Sequence, residues 1–188
     1  SGMSGVLLEE GSVGDHWRVG AVGDGWKGGM ATLTSGRGAG VGVGAVASES
    51  PTLVMQQVIQ LAKDTRRNGQ RVWDDPVWRD RILKVYERTE ASLQNARRSR
   101  IKALNGGAMR IPLQGKVAGS EISQSLHQIA LGILGLKSSL YVGDEHAPAN
   151  GKWPLGYMNT YTGTISGGSS EIQRNILGER VLGLPKTK

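Results

Sequence analysis

Apolar side chains recur at spacings of three and four along most of the chain after residue 50, and this rhythm predicts a succession of amphipathic helices. The first begins at Ser50, which suits a cap. Pro51 suits the first turn, and Leu53, Val54, Val58, Leu61 and Ala62 share one face. Gly69 is placed to end it. Asp75-Pro76 repeats the start signal, and Trp78, Ile82, Val85, Thr89, Leu93 and Ala96 then alternate by four and three. That pattern runs to Leu104 and stops at Gly106-Gly107, roughly 30 residues and about 45 Å of helix. A third helix fits 115–134, with Ala118, Ile122, Leu126, Ile129 and Ile133 on one face and Gly135 as terminator. Residues 136–152 read as loop, and 153–166 fit neither helix nor strand cleanly. The last helix starts near Ser169 or Ser170, where Ser170-Glu171-Ile172-Gln173 matches a capping box. Ile172, Ile176, Leu177 and Val181 supply its apolar stripe, and Pro185 closes it.

The chain before residue 50 is different. Val6-Leu7-Leu8 and Val19 to Val22, separated by Gly and Asp, suit one or two edge strands and turns. Residues 35–50 read SGRGAGVGVGAVASES. A helix there carries a cost of about 1 kcal/mol per glycine relative to Ala, so it persists only against a close helical neighbour and is otherwise loop. Long amphipathic helices with short connections predict an antiparallel four-helix bundle. The expected architecture is mainly α with a short N-terminal β remnant. The boundary falls near residue 25, with a β remnant or linker over 1–25 and the helical bundle over 26–188.

Composition narrows the chemistry. The 188 residues suit one domain, and with no Phe its core must come from aliphatic side chains and Trp. The absence of Cys excludes disulfides, a thiolate nucleophile and thiolate metal ligands. The three His, at 16, 127 and 146, show no metal-ligand spacing, so no metal is expected. The net charge of +7 is partly clustered at Arg97, Arg98, Arg100 and Lys102. No aromatic stacking pattern accompanies it, so it reads as a solvated helix end and not as a nucleic-acid surface. No apolar run approaches membrane-spanning length and no signal peptide is recognisable, which makes the cytoplasm the expected compartment. Ser1-Gly2 ahead of Met3 reads as a cloning remnant. Gly40-Val41-Gly42-Val43-Gly44-Ala45 satisfies G-x-G-x-x-A, but it lacks the preceding strand and the later acidic residue that a dinucleotide fingerprint needs. His127 reads as a boundary residue bonded to a neighbouring helix. The five Trp read as core or interface anchors.

The most informative stretch runs from Gly167 to Pro185, GGSSEIQRNILGERVLGLP. It closely resembles the C-terminal signature of acyl-CoA dehydrogenases, E-G-T-[S/N]-E-I-Q-R-N-I-I-x-E-R-x-L-G-L. Gly25-Trp26 followed by Leu33 and Arg37 resembles that family's G-W-x(6)-L-x-x-E-R, where the last β strand hands over to the first bundle helix. The resemblance covers about residues 15–185.

It implies a fold and a chemistry. In this family a carboxylate removes the α proton of an acyl-CoA thioester while the β hydrogen leaves as hydride to FAD. Such a weak carbon acid demands a desolvated base and hydrogen bonds to the thioester carbonyl. Most members carry the base as the Glu of E-G-T, which here is Gly167. Others carry it as the Glu of L-x-x-E-R, which here is Gly36. Both seats therefore lack a side chain, and no catalytic residue is expected in this chain. By resemblance Gly168 lines the substrate pocket, and Ser169, Ser170 and Glu171 meet FAD at a helix N-terminus, with simple helix capping as the alternative. The family's R-x-x-F-G arginine, which reaches the flavin pyrophosphate of a neighbouring subunit, is replaced at disturbed spacing by Arg67 or Arg71. The Q-x-x-G-G-x-G segment survives only as Gly132-Ile133-Leu134-Gly135.

Three readings follow. The chain is a subunit of a heteromeric acyl-CoA dehydrogenase acting on bulky thioesters such as steroid side chains, with FAD shared with another domain or subunit. It is a piece of a complete homologue, or it is a non-enzymatic helical interaction module. A homo-oligomer, or a heteromer with another subunit of the family, is expected.

Overall fold

The computed structural model describes residues 7, 9–12, 14–38, 49–101 and 110–186, with backbone alone at 33–38 and 110–113. Six α-helices dominate it: α1 (Gly25–Gly38), α2 (Pro51–Asp64), α3 (Pro76–Arg98), α4 (Arg110–Leu134), α5 (Lys152–Ile165) and α6 (Ser170–Ile176). A π turn, Leu177–Val181, continues α6. Both expected N-caps form. Ser50 Oγ accepts from the Leu53 N–H at 3.3 Å, and the Asp75 carboxylate accepts from the Val77 N–H at 2.8 Å. Each satisfies an N–H that the first helical turn leaves without an intrahelical partner.

The core is built where the periodicity placed it, except that Leu53, expected on the apolar face of α2, is exposed. Val54, Val58 and Ala62 of α2, Ile82 and Val85 of α3, and Ile122, Leu126 and Ile133 of α4 are buried together with Trp153 of α5. α4 is the common partner, packing against α1, α2, α3, α5 and α6. Each fully buried Ile or Leu contributes about 1.5–3 kcal/mol relative to exposure. Trp73 and Trp78 pack on the core edge, whereas Trp17 and Trp26 are exposed. No helix of the described residues is long and apolar enough to cross a membrane.

Several expectations need correction. Val19 to Val22 forms a bend and turn instead of an edge strand, because Gly20 and Gly23 take φ of +88° and +91° and break the extended run. Val6 and Leu8 lie outside the described residues. α2 ends at Asp64 and not at Gly69, and a hairpin follows. Its strands are β1 (Arg66–Arg67) and β2 (Gln70–Arg71), antiparallel, with Arg66 opposite Arg71. Asn68 and Gly69 take φ of +50° and +81°, the pairing that a tight hairpin turn requires. α3 stops at Arg98, where Ser99 and Arg100 turn, short of the expected Leu104. Ala96 is already exposed there, so no core supports a longer helix. α4 starts five residues earlier than its apolar face suggested. The ambiguous 153–166 stretch is helix, because Trp153 and Thr160 bury against the rest of the bundle. The Gly-rich residues 39–48, and 102–109 with Lys102, Leu104 and Gly106-Gly107, lie outside the described residues.

Candidate functional site

The C-terminal signature folds into a double-glycine turn between α5 and α6. Gly167 and Gly168 take φ of +68° and +98°, values that side chains rarely tolerate, and the chain reverses through them. Two side chains hold the turn by its carbonyls. Lys116 Nζ, on α4, donates to the Gly168 carbonyl at 2.5 Å, and Gln173 Nε2, on α6, donates to the Gly167 carbonyl at 2.8 Å. A Cβ at Gly167 would meet nothing within 4 Å, so this position opens onto free space.

The helix that follows is capped one residue earlier than the capping-box pattern implied. Ser169 Oγ accepts from the Ile172 N–H at 3.4 Å, which makes Ser170 the first helical residue. Ser170 and Gln173 are therefore buried and Ile172 is half exposed, the reverse of the expected apolar stripe. The reason is local. Gln173 turns inward to reach Gly167, and the face at i and i+3 that packs on α4 becomes polar. Ser170 Oγ and Gln173 Oε1 are buried without a hydrogen-bond partner among the described residues.

Two carboxylates lie near this turn, and neither suits proton abstraction from carbon. Glu171 is exposed, and its own backbone N–H, the Ser169 hydroxyl, Arg174 and Lys116 hold its carboxyl below the usual range. A base for a weak carbon acid needs the opposite, burial that raises the pKa. Glu121 pairs with Arg174 and lies 3.9 Å from Arg88. Gly36 sits near the end of α1, which packs on α4 as α6 does. Neither expected base position, Gly36 or Gly167, carries a side chain.

The remaining expected residues are elsewhere. Arg67 lies in the hairpin at the far end of α4, where Nη2 donates to the Gly132 carbonyl and, at 3.0 Å, to that of Ile133. Arg71 pairs with Asp74 at 2.9 Å. Arg67, Gln70, Arg71, Asp75 and Trp78 line a shallow cleft of about 270 Å³. His127 bonds its own helix, with Nδ1 2.8 Å from the Ser123 carbonyl, and not a neighbouring one. Among the described residues no three His, Cys, Asp or Glu cluster as metal ligands.

A flavin can be tested against this arrangement. Ser169 Oγ is committed to the cap, Ser170 Oγ is buried beneath it, Glu171 points outward as an anion, and Arg67 faces its own chain. Within the described chain these residues therefore present a capped helix N-terminus with an exposed carboxylate. Lys116 and Gln173 hold the turn although neither stands out in the sequence as a site residue. Gln173 was visible inside E-I-Q-R, but Lys116, 52 residues before its partner, carried no local signal.

A family profile described as Acyl-CoA dehydrogenase, C-terminal domain, matches residues 23–182. The chain is 33% identical over 186 residues to acyl-CoA dehydrogenase IpdE1 of Mycobacterium tuberculosis, an alignment covering 95% of this chain and 41% of the relative. Against IpdE1 of Mycolicibacterium smegmatis it is 32% identical over 181 residues, covering 95% and 39%. The chain therefore spans about two-fifths of these curated relatives. Among solved structures, the ChsE4-ChsE5 complex from Mycobacterium tuberculosis superposes with a TM-score of 0.63 at 23% identity, over 76% of this chain and 38% of that one. The Tcur3481-Tcur3483 steroid ACAD gives 0.61 at 22%, over 73% and 35%. A glutaryl-coenzyme A dehydrogenase in complex with glutaryl-CoA gives 0.65 at 21%, over 89% and 40%. At these identities the superpositions carry the fold alone.

Proposed function

This chain belongs to the acyl-CoA dehydrogenase family, and we propose that it is a component of such an enzyme with no catalytic base of its own. One observation carries the reading. Where the family signature has a carboxylate, this chain has Gly167, in a left-handed turn fixed by Lys116 and Gln173 and opening onto free space. A glycine retains a backbone N–H that can donate to a thioester carbonyl, but it accepts no proton. The proton acceptor and the FAD site then come largely from another domain or subunit. Gly168 would line the acyl-CoA pocket, and Ser169, Ser170 and Glu171 would form one edge of the flavin site.

Residues 26–188 are the helical bundle domain of this component, with 1–25 as a linker or the end of a β domain, and its compartment is the cytoplasm. A heteromeric assembly is supported by the ChsE4-ChsE5 complex, a fold neighbour built from two named components. The substrate class is an acyl-CoA thioester with a bulky acyl group.

The test is turnover. The purified chain should show no oxidation of acyl-CoA thioesters with an artificial electron acceptor, and Gly167→Glu alone should not create it. Turnover by the isolated chain would overturn the base assignment. Co-purification from the native source should recover bound flavin with a second family polypeptide, or with the missing domains on a longer chain. Recovery of this chain without flavin or companion would favour a non-enzymatic helical module.

A further inference from the structure

We infer that Arg67 is a clasp within its own chain, its Nη2 committed to the end of α4 instead of to the flavin pyrophosphate of a neighbour. Four observations meet here. The last four carbonyls of an α-helix have no intrahelical partner. In α4 these include Gly132 and Ile133, and Arg67 Nη2 donates to both. The guanidinium carbon of Arg67 also lies 5.2 Å from the centre of the Trp78 ring, and that of Arg81 lies 5.1 Å from the same ring. A cation placed at a helix C-terminus and over an aromatic face is stabilised by both.

The two glycines complete the argument. A Cβ at Gly132 would fall 2.6 Å from Trp78 Cη2, and one at Gly135 would fall 2.9 Å from Arg67 Nη2. The small residues of Gly132-Ile133-Leu134-Gly135 thus make room for Trp78 and Arg67 of the same chain. The arginine and the glycine segment that the family resemblance assigns to the ADP end of FAD are closed onto each other. The clasp ties β1 to α4 across 65 residues of sequence.

The experiment uses the full chain, with ADP as probe, and does not depend on turnover. Arg67→Met should lower the thermal midpoint by roughly 3–8 °C, in line with losing charged hydrogen bonds in a chain of this size. Arg67→Lys should restore only part of the loss, because a single ammonium does not reproduce the planar fork. Calorimetric titration with ADP should detect no binding to wild type or to either variant. An unchanged midpoint in Arg67→Met would overturn the inference. So would ADP binding by wild type that Arg67→Met abolishes. If the Met variant does not fold, wild-type NMR still decides. Arg67 side-chain protons should be shifted upfield by the Trp78 ring, and random-coil shifts would overturn the clasp.

Discussion

Replacing Gln173 by Met removes one hydrogen bond and one buried, unpartnered oxygen together, and the two losses act in opposite directions. Gln173 is fully buried, with Nε2 donating to the Gly167 carbonyl at 2.8 Å and Oε1 without a partner. Losing the hydrogen bond costs about 0.5–1.5 kcal/mol. The abandoned carbonyl belongs to an exposed residue, so water can replace the amide and the cost stays at the low end. Removing Oε1 from an environment that does not satisfy it returns about 1–3 kcal/mol. Met is close in length and adapts to irregular space, so no large cavity opens. The expected sum is a protein more stable by about 0–2 kcal/mol, or up to roughly 8 °C in thermal midpoint. Urea unfolding followed by circular dichroism measures it. Amide exchange at 167–169 should quicken at the same time, because one of two ties on the turn is gone while Lys116 still holds Gly168. A loss of about 1 kcal/mol or more would refute the reasoning. It would mean that Oε1 is satisfied, or that the tie to Gly167 stabilises the whole bundle.

Two further outcomes concern the α4–α5 contact. Burial, aided by the Lys152 ammonium, pushes His127 below its ordinary 6.5, against the weaker pull of the Ser123 carbonyl and Glu49. The unfolded chain therefore takes up the proton first. The stabilising contribution is complete above pH 6.5 and is lost as pH falls through the depressed folded value. His127→Gln should flatten the urea-midpoint profile between about pH 7 and 5, and an unchanged slope would remove His127 as its cause. Gly156→Ala would place a Cβ 2.6 Å from His127 Cδ2 and Nε2, forcing α5 away from α4. It should destabilise by about 1–3 kcal/mol in urea unfolding, with most of the loss recovered when His127→Ala is added.

The sequence made the bundle legible wherever a local signal and an apolar row agreed. Ser50-Pro51 and Asp75-Pro76 fixed two helix starts, and Ile122, Leu126 and Ile133 marked the face of α4 that the core covers. The hairpin was less visible because its strands are two residues each and fully charged or polar, giving alternation nothing to work on. Its signal was Asn68-Gly69, read instead as the end of a helix. At the candidate site, the glycine pair 167-168 was visible in the sequence, and its positive φ values form the turn. Ser169 was one of the two starts the sequence offered for the last helix, and it caps that helix after the backbone reversal at Gly167-Gly168. Contacts such as Lys116 to Gly168 and Arg67 to Gly132 join residues 52 and 65 positions apart, and no window of sequence contains both ends.

The dependence of every other helix on α4 has a consequence for biosynthesis. α1, α2 and α3 precede α4 in the chain, so their apolar faces leave the ribosome before their shared support exists. Between the end of α2 at Asp64 and the end of α4 at Leu134 lie ~70 residues, which at 5–20 residues per second is a wait of about 4–14 s. During that interval Val54 and Val58 have at most α3 to pack against. The nascent chain is then most open to capture by chaperones.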